Sequence, residues 1–215
     1  MKYALPVLLL TAASSFASAA DISTIADHAV IMDAQSGVIL YEKDAEVPTA
    51  PASMSKLMTV AVVFDRIKSG QLSLEDEFPV SEKAWRMQGS KMWTRVDTKI
   101  KVVDLLRGVI VQSGNDACVV LAEGVSGTEE AFAALMTKKA REWGLNDSTF
   151  VNSTGWPDPQ HRMSTKDLAL LARRIISDYP DLYAMFDERE FTWENIRQPN
   201  RNPLLANFEG ADGLK

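Results

Sequence analysis

The chain is short of the residues on which several common chemistries depend. Cysteine occurs once, at Cys118, and histidine twice, at His28 and His161. A single cysteine excludes an intrachain disulfide, so the hydrophobic core alone must hold the fold. Neither C-x-x-C nor H-E-x-x-H occurs, which leaves a zinc site without its usual ligand spacing. A Ser-His-Asp triad is limited to His28 or His161, and neither sits in a triad-like context. No Gly-rich phosphate loop is present, and no cofactor is called for. Positive charge is scarce as well, with 23 Lys+Arg against 29 Asp+Glu and a net charge of −6. An acidic chain repels polyphosphate, so no nucleic-acid partner is expected.

Long apolar runs are confined to the first twenty residues. There Lys2 precedes the run Ala4 to Leu10, and small residues lead into Ala17-Ser18-Ala19-Ala20. A positive start, a short apolar stretch and an A-x-A-like end form a secretory leader rather than a membrane span, which needs about 20 apolar residues. Residues 1–20 are therefore expected to be a signal peptide. The protein is expected to work outside the cytoplasmic membrane of a bacterium, in the periplasm or at its outer face. Cleavage would remove Lys2 and no acid, taking the net charge to −7.

What remains, residues 21–215, is enough for one domain. Hydrophobic residues make up 46% and charged residues 24%, which fits a packed soluble fold rather than a disordered chain. Two short apolar runs, Ala29–Asp33 and Val38–Tyr41, surround Gln35-Ser36-Gly37 and read as a β-hairpin. From Ser53 the pattern turns helical and is apolar on most faces up to Gly70, as in a buried central helix. Helices are expected over Val102–Val111, then to about Glu123 before Gly124. Ser126-x-x-Glu129 reads as a capping box for a helix to Gly144, and Ser164-x-x-Asp167 opens another. Phe191–Glu194 suggests a strand, and Gly210–Lys215 the start of one more. Strands near both ends and helices between them make the class α+β.

Three groups of residues could carry chemistry. In Ser53-Met54-Ser55-Lys56, helical spacing puts a hydroxyl and an ammonium on one face. A serine is a weak nucleophile until a base takes its proton. A lysine serves as that base once desolvation or a nearby cation lowers its pKa. The helix start also aims backbone N–H groups at a developing negative charge. The structural alternative is an N-capping Ser53 and a solvated Lys56. The second group is Ser113-Gly114-Asn115. As a plain turn it would use Gly114 for positive φ and Asn115 as a cap. As chemistry it offers Ser113 for proton relay and Asn115 to donate to a substrate amide. The third is Lys215, in Asp212-Gly213-Leu214-Lys215.

In this order, S-x-x-K, S-x-N and a lysine about 100 residues later, the chain resembles the serine penicillin-recognising enzymes. The words Pro51-Ala52-Ser53-Met54-Ser55-Lys56-Leu57-Met58-Thr59 and Ser113-Gly114-Asn115-Asp116-Ala117-Cys118 are closer still. They resemble the low-molecular-mass D-alanyl-D-alanine carboxypeptidases over essentially all of residues 25–215. The resemblance implies a five-stranded antiparallel sheet flanked by helices, with a helical subdomain, of the β-lactamase/transpeptidase-like kind. It implies that Ser53 attacks the penultimate D-alanine of a peptidoglycan stem peptide and that Lys56 accepts its proton. Ser113 would relay a proton, and Asn115 and Lys215 would bind substrate. β-Lactam antibiotics would acylate Ser53. Gly89-Ser90-Lys91-Met92-Trp93 resembles a loop near the cleft, or else is a surface turn with one packed Trp.

The sequence departs from that pattern at its end. Thr-Gly of the usual Lys-Thr-Gly does not follow Lys215, so the catalytic domain is expected to be C-terminally incomplete, with strands of the sheet missing. Any peripheral membrane attachment would run through segments absent here. Two alternatives stand beside the carboxypeptidase. A serine β-lactamase would need a Glu to activate the deacylating water, and Val151–His161 offers Asp158 but no Glu. A non-catalytic cell-wall-binding remnant would have no use for Ser53, Lys56, Ser113 and Asn115 together. Cys118 is expected to be a buried packing residue.

Overall fold

The structure is a computed structural model that describes residues 22–214. The expected leader over residues 1–20 and the candidate Lys215 lie outside the described residues. An antiparallel hairpin comes first: β1 (Ala29–Met32) pairs with β2 (Ile39–Lys43). A single turn of 3-10 helix over Ala52–Ser55 runs into α1 (Lys56–Lys68). Every residue of α1 from Lys56 to Phe64 is buried, as its nearly all-apolar surface requires. Gly70 follows the helix at φ +70°, the left-handed stop expected of it.

The rest is built around α1. β3 (Glu77–Pro79) and β4 (Lys99–Lys101) form a second antiparallel pair, with α2 (Glu82–Arg86) between them in sequence. Then come α3 (Val102–Gln112), α4 (Asn115–Ser126), α5 (Glu129–Glu142) and α6 (Thr165–Asp178). All four touch α1, so its apolar faces meet helices on several sides. A fully buried Val, Leu or Phe contributes about 1.5–3 kcal/mol, and α1 supplies Leu57, Val60, Val62, Val63 and Phe64 to this core. α7 (Pro180–Tyr183), the hairpin β5 (Glu190–Trp193)–β6 (Ile196–Pro199) and α8 (Leu204–Asn207) complete the described chain.

The α+β class is as expected. Among the described residues, however, the strands form three two-stranded sheets, not one sheet of five. The pairs pack on different sets of helices: β1 on α6, β3 on α4 with β4 on α3, and β5 and β6 on α3. They therefore face different parts of the core and do not align edge to edge. Residues 210–214 form no strand.

Two helix boundaries also differ from expectation. α4 continues through Gly124, because the missing side chain makes room for β3: a Cβ there would sit 2.2 Å from the Phe78 ring. Ser126 ends α4 and does not cap α5. The cap is Thr128, whose hydroxyl accepts from the Ala131 N–H at 3.1 Å. Ser164 does cap α6, accepting from the Asp167 N–H. No helix among the described residues is long and apolar enough to cross a membrane.

Candidate active site

The turn before α1 places the serine and lysine together. Lys56 Nζ lies 3.0 Å from Ser53 Oγ, and Lys56 is only 1% exposed. Neither Ser53 nor Ser55 caps the helix with its side chain, so the capping-and-solvated alternative does not describe this pair. Burial is the largest influence on Lys56 and pushes its pKa below the ordinary lysine value. The Arg201 guanidinium pushes it the same way, and the Cys118 thiol opposes. The neutral amine becomes accessible, and its lone pair can take the hydroxyl proton. Cys118 itself is fully buried on α4.

Lys56 has a second partner that the sequence did not disclose. Its Nζ donates to the Thr154 carbonyl at 2.5 Å, across 98 positions of chain. The loop that presents this carbonyl is tightly specified. Asn152 Oδ1 accepts from the N–H groups of Thr154, Gly155 and Trp156 at 3.1, 2.8 and 3.1 Å. Glu129, which was read as half of a capping box, instead holds the loop. Its Oε1 accepts from the Ser153 N–H and hydroxyl, and its other oxygen meets Lys83 at 3.0 Å. Thr59, on α1, donates to the Ser153 carbonyl at 2.7 Å. Gly155 sits at φ +78°, and a Cβ on it would lie 1.8 Å from the Ala52 carbonyl oxygen. Only glycine lets the loop close onto the turn at Ser53. That turn carries its own strain, with Ala52 at φ +48°.

The second motif borders the same space. Ser53 and Ser113 both line a cavity of about 350 Å³, together with Pro51, Met54, Asn200 and Arg201. The positive φ predicted for Gly114 belongs to Ser113 (φ +61°), and Gly114 is extended at φ −62°. Gly114 is needed for space: a Cβ there would be 3.1 Å from Asp116 Oδ1, the Gly108 carbonyl and the Met92 nitrogen. Asn115 does not line this cavity. Its side-chain N–H donates to the Gln88 carbonyl at 2.7 Å, and its backbone N–H to the Ser90 carbonyl. It therefore ties the turn to the loop over residues 88–94, leaving its Oδ1 and second N–H for a substrate.

Arg201 is a residue that sequence reading missed. It lines the cavity, donates to Ser90 Oγ at 2.6 Å and biases Lys56 electrostatically. Its signal was faint: an Asn-Arg-Asn run in a coil segment. The histidines make their hydrogen bonds elsewhere. His28 bonds the Asp44 carbonyl on the exposed side. His161 is buried and accepts the Val151 N–H at Nδ1.

Comparison with known proteins bears on this geometry. A sequence profile of the D-alanyl-D-alanine carboxypeptidases, peptidase S11, matches residues 14–215. D-alanyl-D-alanine carboxypeptidase DacC of Escherichia coli strain K12 is 40% identical over 193 residues, covering 86% of this chain and 48% of the relative. The crystal structure of the carboxypeptidase DacD from Francisella tularensis superposes with a TM-score of 0.90 at 32% identity. The match covers 93% of this chain and 61% of that one. Penicillin binding protein 5 from Haemophilus influenzae gives 0.82 at 40% identity, over 84% and 54%. The chain spans about half the length of the curated relatives it matches.

Proposed function

The chain belongs to the D-alanyl-D-alanine carboxypeptidase family, and from that membership we propose that it is a serine carboxypeptidase of peptidoglycan stem peptides. The observation that carries this reading is the Ser53 Oγ–Lys56 Nζ contact at 3.0 Å around a buried, pKa-lowered lysine. Ser53 Oγ attacks the carbonyl carbon of the penultimate D-alanine while Lys56 Nζ takes the hydroxyl proton. The C–N bond to the terminal D-alanine then breaks, and that amine leaves with a proton relayed through Ser113. Water hydrolyses the ester and restores Ser53. Asn115 positions the peptide, and Lys215 takes the terminal carboxylate, a job for a fixed positive charge.

A β-lactam has a strained amide that presents the same electrophile, so it acylates Ser53 and blocks turnover. The relative named a penicillin binding protein supports this. We place the work outside the cytoplasmic membrane, with residues 1–20 as the leader and residues 21–215 as catalytic domain. That is where peptidoglycan lies, and the charge and apolar pattern before Asp21 support it.

Intact-mass spectrometry of the chain mixed with benzylpenicillin tests the reading, beside a Ser53→Ala variant. One penicilloyl adduct on the parent and none on the variant is the expected result. An adduct that persists on Ser53→Ala would refute the assignment of the nucleophile. Rapid loss of the adduct would favour a β-lactamase instead.

A further inference from the structure

A broad groove on the described surface is separate from the cavity at Ser53. It measures about 750 Å³ and is lined by Trp85, Arg86, Lys91, Trp93 and Arg95, with Glu194 as its one acid. Two features set it apart. Trp85 and Trp93 are 43% and 52% exposed, although indoles ordinarily bury most of their surface. In a chain where acids outnumber bases 29 to 23, three cations and one carboxylate line this groove, and Glu82, one turn back on α2, pairs with Arg86. Arg95 meets Glu194 at 3.2 Å. Lys91 donates to the Trp85 carbonyl at 2.5 Å and stands 5.8 Å from the Trp93 ring centre. Its charge rests on a carbonyl and an aromatic face rather than on a carboxylate.

The exposure of Trp93 is enforced. Its backbone sits at φ +71°, a left-handed conformation that a bulky residue rarely adopts. The carboxylate of Asp116, 0% exposed on α4, accepts the N–H groups of Met92, Trp93 and Thr94 at 2.9, 2.9 and 3.0 Å. A buried carboxylate thus holds a strained loop that keeps an indole in solvent. Core packing gains nothing from that, whereas a ligand does. The same loop is tied to residues beside the candidate active site: the Gln88 and Ser90 carbonyls accept from Asn115, and Ser90 Oγ accepts from Arg201, which lines the cavity at Ser53.

We infer that this groove is a second binding site, for the carboxylate-bearing amino-sugar chain of peptidoglycan. Pyranose rings offer flat C–H faces that stack on indoles, and their carboxylates suit Arg86, Lys91 and Arg95. The inference rests on the carboxypeptidase reading and extends it: the peptide end enters at Ser53 while the sugars lie along the 88–94 loop.

The test is tryptophan fluorescence and calorimetric titration of the full chain with peptide-free glycan strands that carry free lactyl carboxylates. A sugar-free stem pentapeptide and a neutral N-acetylglucosamine tetramer serve as comparison ligands. The strands bind the parent and Ser53→Ala equally. Trp85→Ala and Lys91→Glu each weaken binding about tenfold, and Trp85→Phe restores most of it. Salt at about 1 M also weakens it, and the neutral tetramer binds less tightly than the strands. Circular dichroism of each variant checks that it is folded. No strand binding by a parent chain that benzylpenicillin still acylates at Ser53 would overturn the groove and leave the carboxypeptidase reading standing. Equal weakening of pentapeptide binding by Trp85→Ala would overturn it too, because the groove would then belong to the peptide. Strand binding by a chain that fails the penicillin test would sink the carboxypeptidase reading alone.

Discussion

Two loops are hydrogen-bonded to residues of the candidate active site, one through Lys56 and one through Arg201, and each is held by one side chain that gathers three consecutive backbone N–H groups. In the 151–156 loop the gatherer is Asn152 Oδ1, a neutral amide two to four residues from its donors. In the 88–94 loop it is the Asp116 carboxylate, 22 to 24 residues away on α4. The first loop is stapled to itself and serves the lysine through the Thr154 carbonyl. The second is stapled to a helix and presents groups to solvent. A local amide fixes a shape that the loop half-adopts alone. A distant buried charge imposes a shape, including φ +71° at Trp93, that the loop would not adopt.

Removing the two gatherers should break this symmetry most visibly. Asp116→Ala strips the acceptor from the three loop N–H groups and from that of Ala117, and empties a fully buried site. It should cost about 3–5 kcal/mol. Asn152→Ala, in a loop also held by Glu129 and Thr59, should cost about 1–2 kcal/mol. Urea unfolding of both variants checks the ranking. Equal costs would mean that the distant charge does no more than the local amide.

The same contrast explains what the sequence disclosed. Ser53 and Lys56 lie three apart, and helical spacing alone brings them together. Ser164 is a local cap and was legible for the same reason. The Thr154 carbonyl was hidden because a backbone oxygen has no sequence signature, and it meets Lys56 only after 98 residues of folding. Arg201 was hidden likewise. Ser126 misled because Glu129, three residues on, matched a capping box while its carboxylate was committed to Ser153 and Lys83. Gly124 misled because a glycine that admits Phe78 looks the same in sequence as one that ends a helix. The first hairpin was visible as two short apolar runs and β5 as a strand, but β3, β4 and β6 were not, nor was the helix that each pair would cover.

The far end of the 151–161 segment should titrate. His161 is 2% exposed, and burial lowers its pKa from 6.5 to about 4, with nearby Lys56 pushing the same way and Asp158 opposing. In the unfolded chain it protonates near 6.5, whereas the folded chain resists until about pH 4. The stability due to keeping it neutral is therefore complete above pH 6.5 and drains away as pH falls toward 4. The loss is at most about 3 kcal/mol. Urea midpoints measured from pH 7 to 4 should fall less steeply for His161→Gln than for the parent.

A smaller effect on stability, but a direct one on chemistry, is expected of Gly155→Ala. The new Cβ would lie 1.8 Å from the Ala52 carbonyl oxygen, so the loop and the turn at Ser53 must part. A shift of about 1 Å between Ser53 and Lys56 should slow penicillin acylation about 100-fold. Stopped-flow acylation measures it. A rate within twofold of the parent would show that the local loop does not position the pair.

The subtlest test asks whether the solvent-facing loop also reaches the lysine. Arg201 donates to Ser90 Oγ on that loop, and its charge is one of the two influences that lower the Lys56 pKa. On the proposed mechanism acylation needs neutral Lys56, so its rate should rise with pH through that pKa and then level. Arg201→Ala removes a like charge and so raises the pKa, although burial remains the larger cause. The rising limb should therefore move toward higher pH while the plateau still exists. An unmoved limb with a lowered plateau would mean that Arg201 acts by holding Ser90 in place. Burial, opposed by Cys118, would then set the lysine's pKa, and the division between the two loops would be sharper than the electrostatics suggest.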